Sequence, residues 1–403
     1  MRTLLVLAFA AIATADWTQW GGPNRNFQVD APELSSTWPA GGPKRLWSRP
    51  LGDGYSAVLA AGTRLYTMYR RGHDDVVIAL EAATGNPVWE FAIPARHAPG
   101  MGMEHGPGPH STPLLAGGRL FAISVMGHLH ALDAKTGKLL WAHDLWNEFG
   151  GTRLDRGYAS SPIAYRDTVI AMVGGKRHAV MAFRQADGKV AWHAQDFANT
   201  GSSPVLINVG GLDQLVVFMA KEVAGLNPLN GDLQWRVPHA TDWDINASTP
   251  VYGPDGILFI SSAYSGGSQG IQLTREGNRV VADPLWKTNR MRLHHGNAIR
   301  TGDHVYGSSG DFGPAPVTAL DVKTGRVSWQ DRGFAKANFV YAAGKLIALD
   351  EDGTLGLLTV SPKGGKVLAQ AQILNGRAWT VPTLAGTVLY VRDRSSIAAF
   401  DLK

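Results

Sequence analysis

The sequence predicts an all-β fold: an eight-bladed β-propeller of four-stranded blades, closed where the first strand joins the last unit. Three observations predict it. An eleven-residue phrase, Ala131 to Trp141 (ALDAKTGKLLW), recurs at 79–89, 182–192, 225–235 and 319–329. In all five copies a glycine lies four residues, and a tryptophan eight, past an Asp-type position, a register chance does not repeat. Degenerate copies extend the series, placing Asp-type positions at 81, 133, 184, 227, 274, 321, 361 and 401. Their spacing of 40 to 52 residues suits one propeller blade. Finally, Ala399-Phe-Asp401 starts the phrase and the sequence stops at Lys403, whereas Lys44 to Leu51 carries Trp47 with no turn before it. Each segment supplies what the other lacks.

Each element then has its reason. Residues 1–15 read as a signal peptide. Arg2 is the positive end, Leu4 to Ile12 the apolar run, and Ala13-Thr-Ala15 the small-x-small cleavage site. Export with cleavage after Ala15 is expected, to the periplasm or beyond. The run is too short to span a bilayer. Residues 16–43, rich in Pro, Ser and Gly, read as an N-terminal arm laid across the propeller and anchored by Trp17 and Trp20. Residues 44–403 form the propeller. Within each unit a small-residue start, such as His110-Ser-Thr-Pro113, opens the innermost strand. A Gly hairpin and an alternating strand follow. The turn then uses the Asp and Thr side chains and a glycine with φ > 0. The Trp strand lies outermost. Trp47, Trp89, Trp141, Trp192, Trp235, Trp286 and Trp329 are expected to pack on the neighbouring blade's turn and donate their indole N–H.

Composition excludes several classes. The chain has no cysteine. That removes disulfides, thiolate metal sites, haem attachment and a lipid-anchor cysteine. A formal charge of +5 without any Lys/Arg run argues against nucleic acid. After residue 15 nothing resembles a membrane span, and a monomer is expected. No P-loop, Gly-x-Ser-x-Gly or dinucleotide fingerprint occurs in a usable context.

In a four-stranded blade the connections alternate between two faces. The first hairpins and the Thr-Gly turns share one face. The second-to-third-strand loops and the blade-to-blade crossings share the other. The unequal insertions, 95–109, 146–158, 238–247 and 287–296, fall on this crossing face, where sites usually lie. Candidate ligand-binding residues there are His105, His110, Tyr158, Asp242, Asp244, Asn246, Arg292, His294, His295, Trp379 and Arg392. His110, Tyr158, Asn246, His295 and Trp379 are expected to converge at the channel mouth. Adjacent His294 and His295 would face opposite sides of a strand, so a shared metal is disfavoured. Asp242 and Asp244 would share one face of an extended segment, as a Ca²⁺ site needs, but lack the surrounding oxygen ligands. With Arg153, Arg156, Lys176 and Arg177, the histidines form a cluster suited to an anionic group. Its attraction should rise as imidazoles charge between about pH 6 and 7.

The phrase resembles the tryptophan-docking motif of the PQQ-like, eight-bladed quinoprotein propellers, over residues 45–403. Several stretches (110–113, 127–133, 158–162, 294–296, 379–382 and 17–23) are similar to an exported branch of PQQ-binding-like repeat proteins, related to BamB-type assembly propellers. True quinoprotein alcohol dehydrogenases hold PQQ between a tryptophan and a disulfide ring of adjacent cysteines, with Ca²⁺. This chain has no such cysteines, and BamB-type proteins are anchored through a cysteine also absent here. Fold likeness does not carry activity. The resemblance therefore implies an exported, non-catalytic binding or scaffold propeller, its partner protein or small anionic ligand held on the crossing face. The alternative is a cysteine-free PQQ-dependent oxidoreductase with Ca²⁺.

Overall fold

The computed structural model describes residues 16–311, 313 and 315–403. The expected signal peptide lies outside them. Every regular element among the described residues is a strand, and the strands form eight antiparallel four-stranded sheets. The innermost strands, in ring order, are Leu59–Ala61, Leu114–Ala116, Ile163–Tyr165, Val205–Val209, Val251–Tyr252, Ala298–Thr301, Asn338–Ala342 and Thr383–Ala385. The outermost are Pro87–Pro94, Leu139–Asp144, Val190–Ala194, Leu233–Pro238, Arg279–Thr288, Val327–Asp331, Gly364–Gln372 and Lys44–Pro50. Lys44–Pro50 pairs antiparallel with Ser396–Asp401, so the first strand is the outer edge of the last blade. No helix among the described residues is long and apolar enough to cross a membrane.

The core lies between blades. Phe121, Ile123 and Leu129 of blade 2 pack on Val169, Met181 and Phe183 of blade 3, all fully buried. Each such side chain contributes about 1.5–3 kcal/mol by leaving water. Alternation along the strands turns one side of every sheet to each neighbour, so the ring has no free sheet face.

The turns hold the rim. Asp133 accepts hydrogen bonds from Thr136 N and Oγ1, each at 2.8 Å, and from Lys135 N at 3.1 Å. These bonds, the Thr136 hydroxyl first, hold its carboxyl below the usual range. Gly137 has φ 72°, and a Cβ there would come within 2.5 Å of the Trp89 indole. Both demands select glycine. The indole N–H of Trp89 donates to Ala134 O (3.1 Å), that of Trp47 to Ala82 O (2.9 Å) and that of Trp141 to Gln185 O (3.0 Å). Trp286 reaches Val322 O and Trp329 reaches Ser361 O, each at 2.8 Å. Trp192 lies against Gly231. Trp235 differs: it covers Gly225 of its own blade and donates to Gln214 Oε1 at 3.1 Å.

The reason lies in blade 5. Its outer hairpin runs ten residues along each strand, Gly267–Glu276 and Arg279–Thr288, so no tight turn meets Trp235. The register also corrects two turn positions. Trp286 pairs with Gly270 as Trp141 pairs with Ala131, which makes Gln272 the Asp-type position of blade 5 rather than 274. Ala369 pairs with Leu357, so Thr359 takes that place in blade 7 rather than Ser361.

Residues 16–43 cross the hairpin face and touch all eight blades. Trp17 N donates to Ala60 O of blade 1, and Leu115 N of blade 2 donates to Thr18 O. Arg25 donates to Pro162 O and Pro204 O of blades 3 and 4. The Trp20 indole reaches Thr249 Oγ1 of blade 5, and Gln28 reaches Arg300 O of blade 6. Tyr341 of blade 7 bonds Phe27 and Val29, and Ser35 N bonds Leu402 O of blade 8. Trp17 and Phe27 are buried to 1 % and 0 % exposure, whereas Trp20 is half-buried. The channel is therefore covered on this face.

Candidate functional site at the crossing face

One repeat position walls the channel mouth. It is the residue just before each innermost strand's small-residue start: Tyr55, His110, Ala159, Gly201, Ala247, His295, Lys336 and Trp379. Six of them lie six residues before the strand's hairpin end; Ser202-Ser-Pro204 and Ser248-Thr-Pro250 align the other two. Blades 3 to 5 thus contribute only Ala, Gly and Ala. The other five contribute rings or a long cation.

Those large side chains meet. His110 stacks on Tyr55, centroids 5.8 Å apart and planes at 14°. Tyr55 lies 5.6 Å from Trp379, and Trp379 lies 4.5 Å from His295 and 5.8 Å from His105. His294 follows at 4.9 Å from His295, and its Nε2 is 2.6 Å from the Tyr264 hydroxyl. Arg377 sits 4.7 Å over the Trp379 ring, a cation–π contact. The indole N–H donates to Glu351 Oε2 at 3.0 Å. His105 is held from behind, its carbonyl accepting the Tyr55 hydroxyl. The His110 ring donates Nε2–H to Arg156 O at 3.0 Å.

Burial governs the electrostatics. It lowers the His110 and His294 pKa to about 4 and that of His295 to about 3. These imidazoles stay neutral near pH 6 to 7, contrary to the rising charge expected from sequence. The nearby cations are mostly paired: Arg156 with Glu104, Arg394 with Asp53, and Arg292 with Asp311 at 3.5 Å. Lys336 and Arg377 share Glu351 at 3.9 Å.

Several sequence candidates lie elsewhere. Tyr158 and Asn246 are fully buried, one residue before the lining position, and alternation turns them into the blades. The Tyr158 hydroxyl donates to Met172 O at 2.9 Å, and Asn246 Nδ2 donates to Met219 O at 2.6 Å. Arg392 is buried between blades 8 and 1, donating to Met68 O (2.6 Å) and Gly52 O (3.0 Å). Burial lowers its pKa to about 10. Asp242 and Asp244 share no site: Asp242 accepts the Ser265 hydroxyl (2.5 Å), while Asp244, at φ 55°, faces Lys221 (3.5 Å). His294 and His295 sit in a bend rather than a strand, so both reach the cluster. His128 and His178 lie with blades 2 and 3, His128 3.5 Å from Asp144 and His178 against His193.

Sequence reasoning missed Tyr55, Lys336, Glu351 and Arg377. Aligning the residue before each innermost strand would have found the first two. It also missed Trp243, in the crossing from blade 4 to blade 5, which is 70 % exposed. Among the described residues no group of three or more His, Asp or Glu could hold a metal ion.

Residues 73–331 match the family described as outer membrane protein assembly factor BamB. That is more than half of the chain. The chain belongs to the BamB family. BamB of Yersinia pestis is 23 % identical over 301 residues, covering 70 % of this chain and 72 % of that protein. The crystal structure of BamB from Moraxella catarrhalis superposes with a TM-score of 0.62 at 16 % identity, covering 89 % of this chain and 97 % of that one. Quinohemoprotein alcohol dehydrogenase from Comamonas testosteroni gives 0.68 at 12 % identity, covering 97 % and 81 %. At such identities the two structures speak to the fold alone. At the mouth of this chain, the Trp379 indole packs against Tyr55, His105, His295 and Arg377.

Proposed function

We propose that this chain is an exported, non-catalytic scaffold that docks a protein partner on its crossing face, with Asp242, Trp243 and Asp244 at the contact. The observation that carries the reading is Trp243. Among the described residues it is the most exposed of the large hydrophobic side chains, at 70 %, beside the bare Ala247 side of the mouth. An isolated indole in water forgoes the burial that its size offers. Tryptophan is also among the residues that dominate interface energy. Met103, 50 % exposed in the crossing from blade 1 to blade 2, adds apolar surface to the same face. Membership in a family named for assembly of outer-membrane proteins supports a protein partner and an exported location.

A small anion at the mouth has less support, because Arg156, Arg292 and Arg394 are already paired. The PQQ-dependent reading has less again, because Tyr55, His105, His295 and Arg377 already pack on the half-buried Trp379.

The test is a folded chain carrying Asp242→Ala, Trp243→Ala and Asp244→Ala. It should melt as wild type does and lose the proteins that co-purify with wild type from solubilised envelopes. Undiminished co-purification would remove this loop from the contact. A new absorbance band on adding PQQ and Ca²⁺ to wild type would instead revive the oxidoreductase.

A further inference from the structure

His178 and His193 stack on the rim of blade 3, away from the mouth, with ring centroids 4.6 Å apart and planes at 29°. His193 lies on the outermost strand Val190–Ala194, and His178 in the loop before Val180–Arg184. Each ring spends the same nitrogen on the backbone. His178 Nδ1 is 3.1 Å from Lys176 O, and His193 Nδ1 is 2.8 Å from Arg177 O. A carbonyl oxygen only accepts, so both Nδ1 atoms carry the proton. Both Nε2 atoms of the neutral rings then hold lone pairs. Metal-binding histidines show this arrangement, in which a backbone carbonyl fixes the tautomer and raises the basicity of the free nitrogen.

The pair opens onto a groove of about 600 Å³ whose walls include Phe149, Met181, Val190 and Trp192. Met181 stands directly across the strand pair from His193, which puts their side chains on one side of the sheet. Two histidines of blade 2 are committed instead. His143 uses both nitrogens, on Glu148 Oε2 (2.7 Å) and Gly188 O (2.8 Å). His128 uses its own on Pro94 O and Asp144.

We propose that His178 and His193 form a two-imidazole site for a divalent transition-metal ion, open to water in its remaining positions. Two nitrogens at about 2.0 Å from one ion span at most about 4 Å; the lone pairs of stacked rings run side by side, so the two imidazoles must splay apart to converge on it, and metal binding replaces the ring stack. Imidazole nitrogen suits Cu²⁺, Zn²⁺ and Ni²⁺, and the divalent series puts Cu²⁺ tightest. The site sits on blade 3, in a loop that shares the crossing face with Trp243, and uses neither Trp243 nor its flanking aspartates.

The absence of cysteine makes the test clean, because no thiolate competes for the ion. Metal-free protein is titrated with Cu²⁺ by calorimetry and by electron paramagnetic resonance. Wild type should bind one equivalent with nitrogen hyperfine structure. His178→Gln with His193→Gln should lose that equivalent at an unchanged melting temperature. Either single change should weaken it at least about tenfold. His294→Gln with His295→Gln should retain it. Equal Cu²⁺ binding by wild type and the His178/His193 double variant would overturn the proposal. So would loss of the equivalent on changing His294 and His295 instead.

Discussion

The two faces of this disc are built from the same repeat yet differ in what they leave open. On the hairpin face, residues 16–43 bond to all eight blades, and five indole N–H groups are spent on the next blade's turn. On the crossing face, connections of unequal length leave Trp243 in solvent at 70 % exposure, against 53 % for Leu229 in a turn of the hairpin face. The difference teaches where repetition stops. Positions that recur must satisfy identical neighbours, so they close the structure. Positions that do not recur carry no such constraint.

The largest effect should come from breaking the closed face. Removing residues 16–52 takes away both the arm and Lys44–Pro50, baring the edge of Ser396–Asp401. Loss of cooperative melting is expected. Removing residues 16–43 alone should leave a cooperative ring that melts lower. Equal melting of either truncation and the full chain would dissolve the distinction between the faces.

Tryptophan substitutions sharpen it further. Trp141→Ala, on the repeat, should destabilise by about 3 kcal/mol, the low end of the range for large aromatic deletions because its rim is partly open. Trp243→Ala, off the repeat, should stay within about 0.5 kcal/mol of wild type. Denaturant midpoints for the pair measure this directly.

A further effect is in pH. His110, His294 and His295 have folded pKa values of about 4, 4 and 3, below an unfolded value near 6.5. Between those limits the unfolded chain binds more protons. Stability is thus intact above about pH 6.5 and falls as pH drops toward 4. His295→Gln should flatten the fall in melting temperature over that range. An equally steep fall would place the acid sensitivity elsewhere.

The sequence made the ring legible because each blade repeats its turn chemistry. The closure of Lys44–Pro50 onto Ser396–Asp401 followed from one incomplete phrase at each end. The mouth was half legible. His110, His295 and Trp379 stand together as expected, whereas Tyr158 and Asn246 miss by one residue. In an extended segment one residue reverses the side, and loops give no fixed register to count from. Arg392 reads as an exposed cation in sequence, because nothing local shows that blade 1 covers it. The exposure of Trp243 depends on the whole ring and leaves no local trace.

The central claim is that the crossing face, and not the hairpin face, meets the partner. Trp243→Cys and Leu229→Cys each give this cysteine-free chain one thiol, on opposite faces, at residues 70 % and 53 % exposed. A photo-crosslinker attached to each reads which face is covered in the envelope. The account predicts a discrete crosslinked partner from position 243 and none from position 229. A partner captured from position 229, with none from position 243, would contradict it.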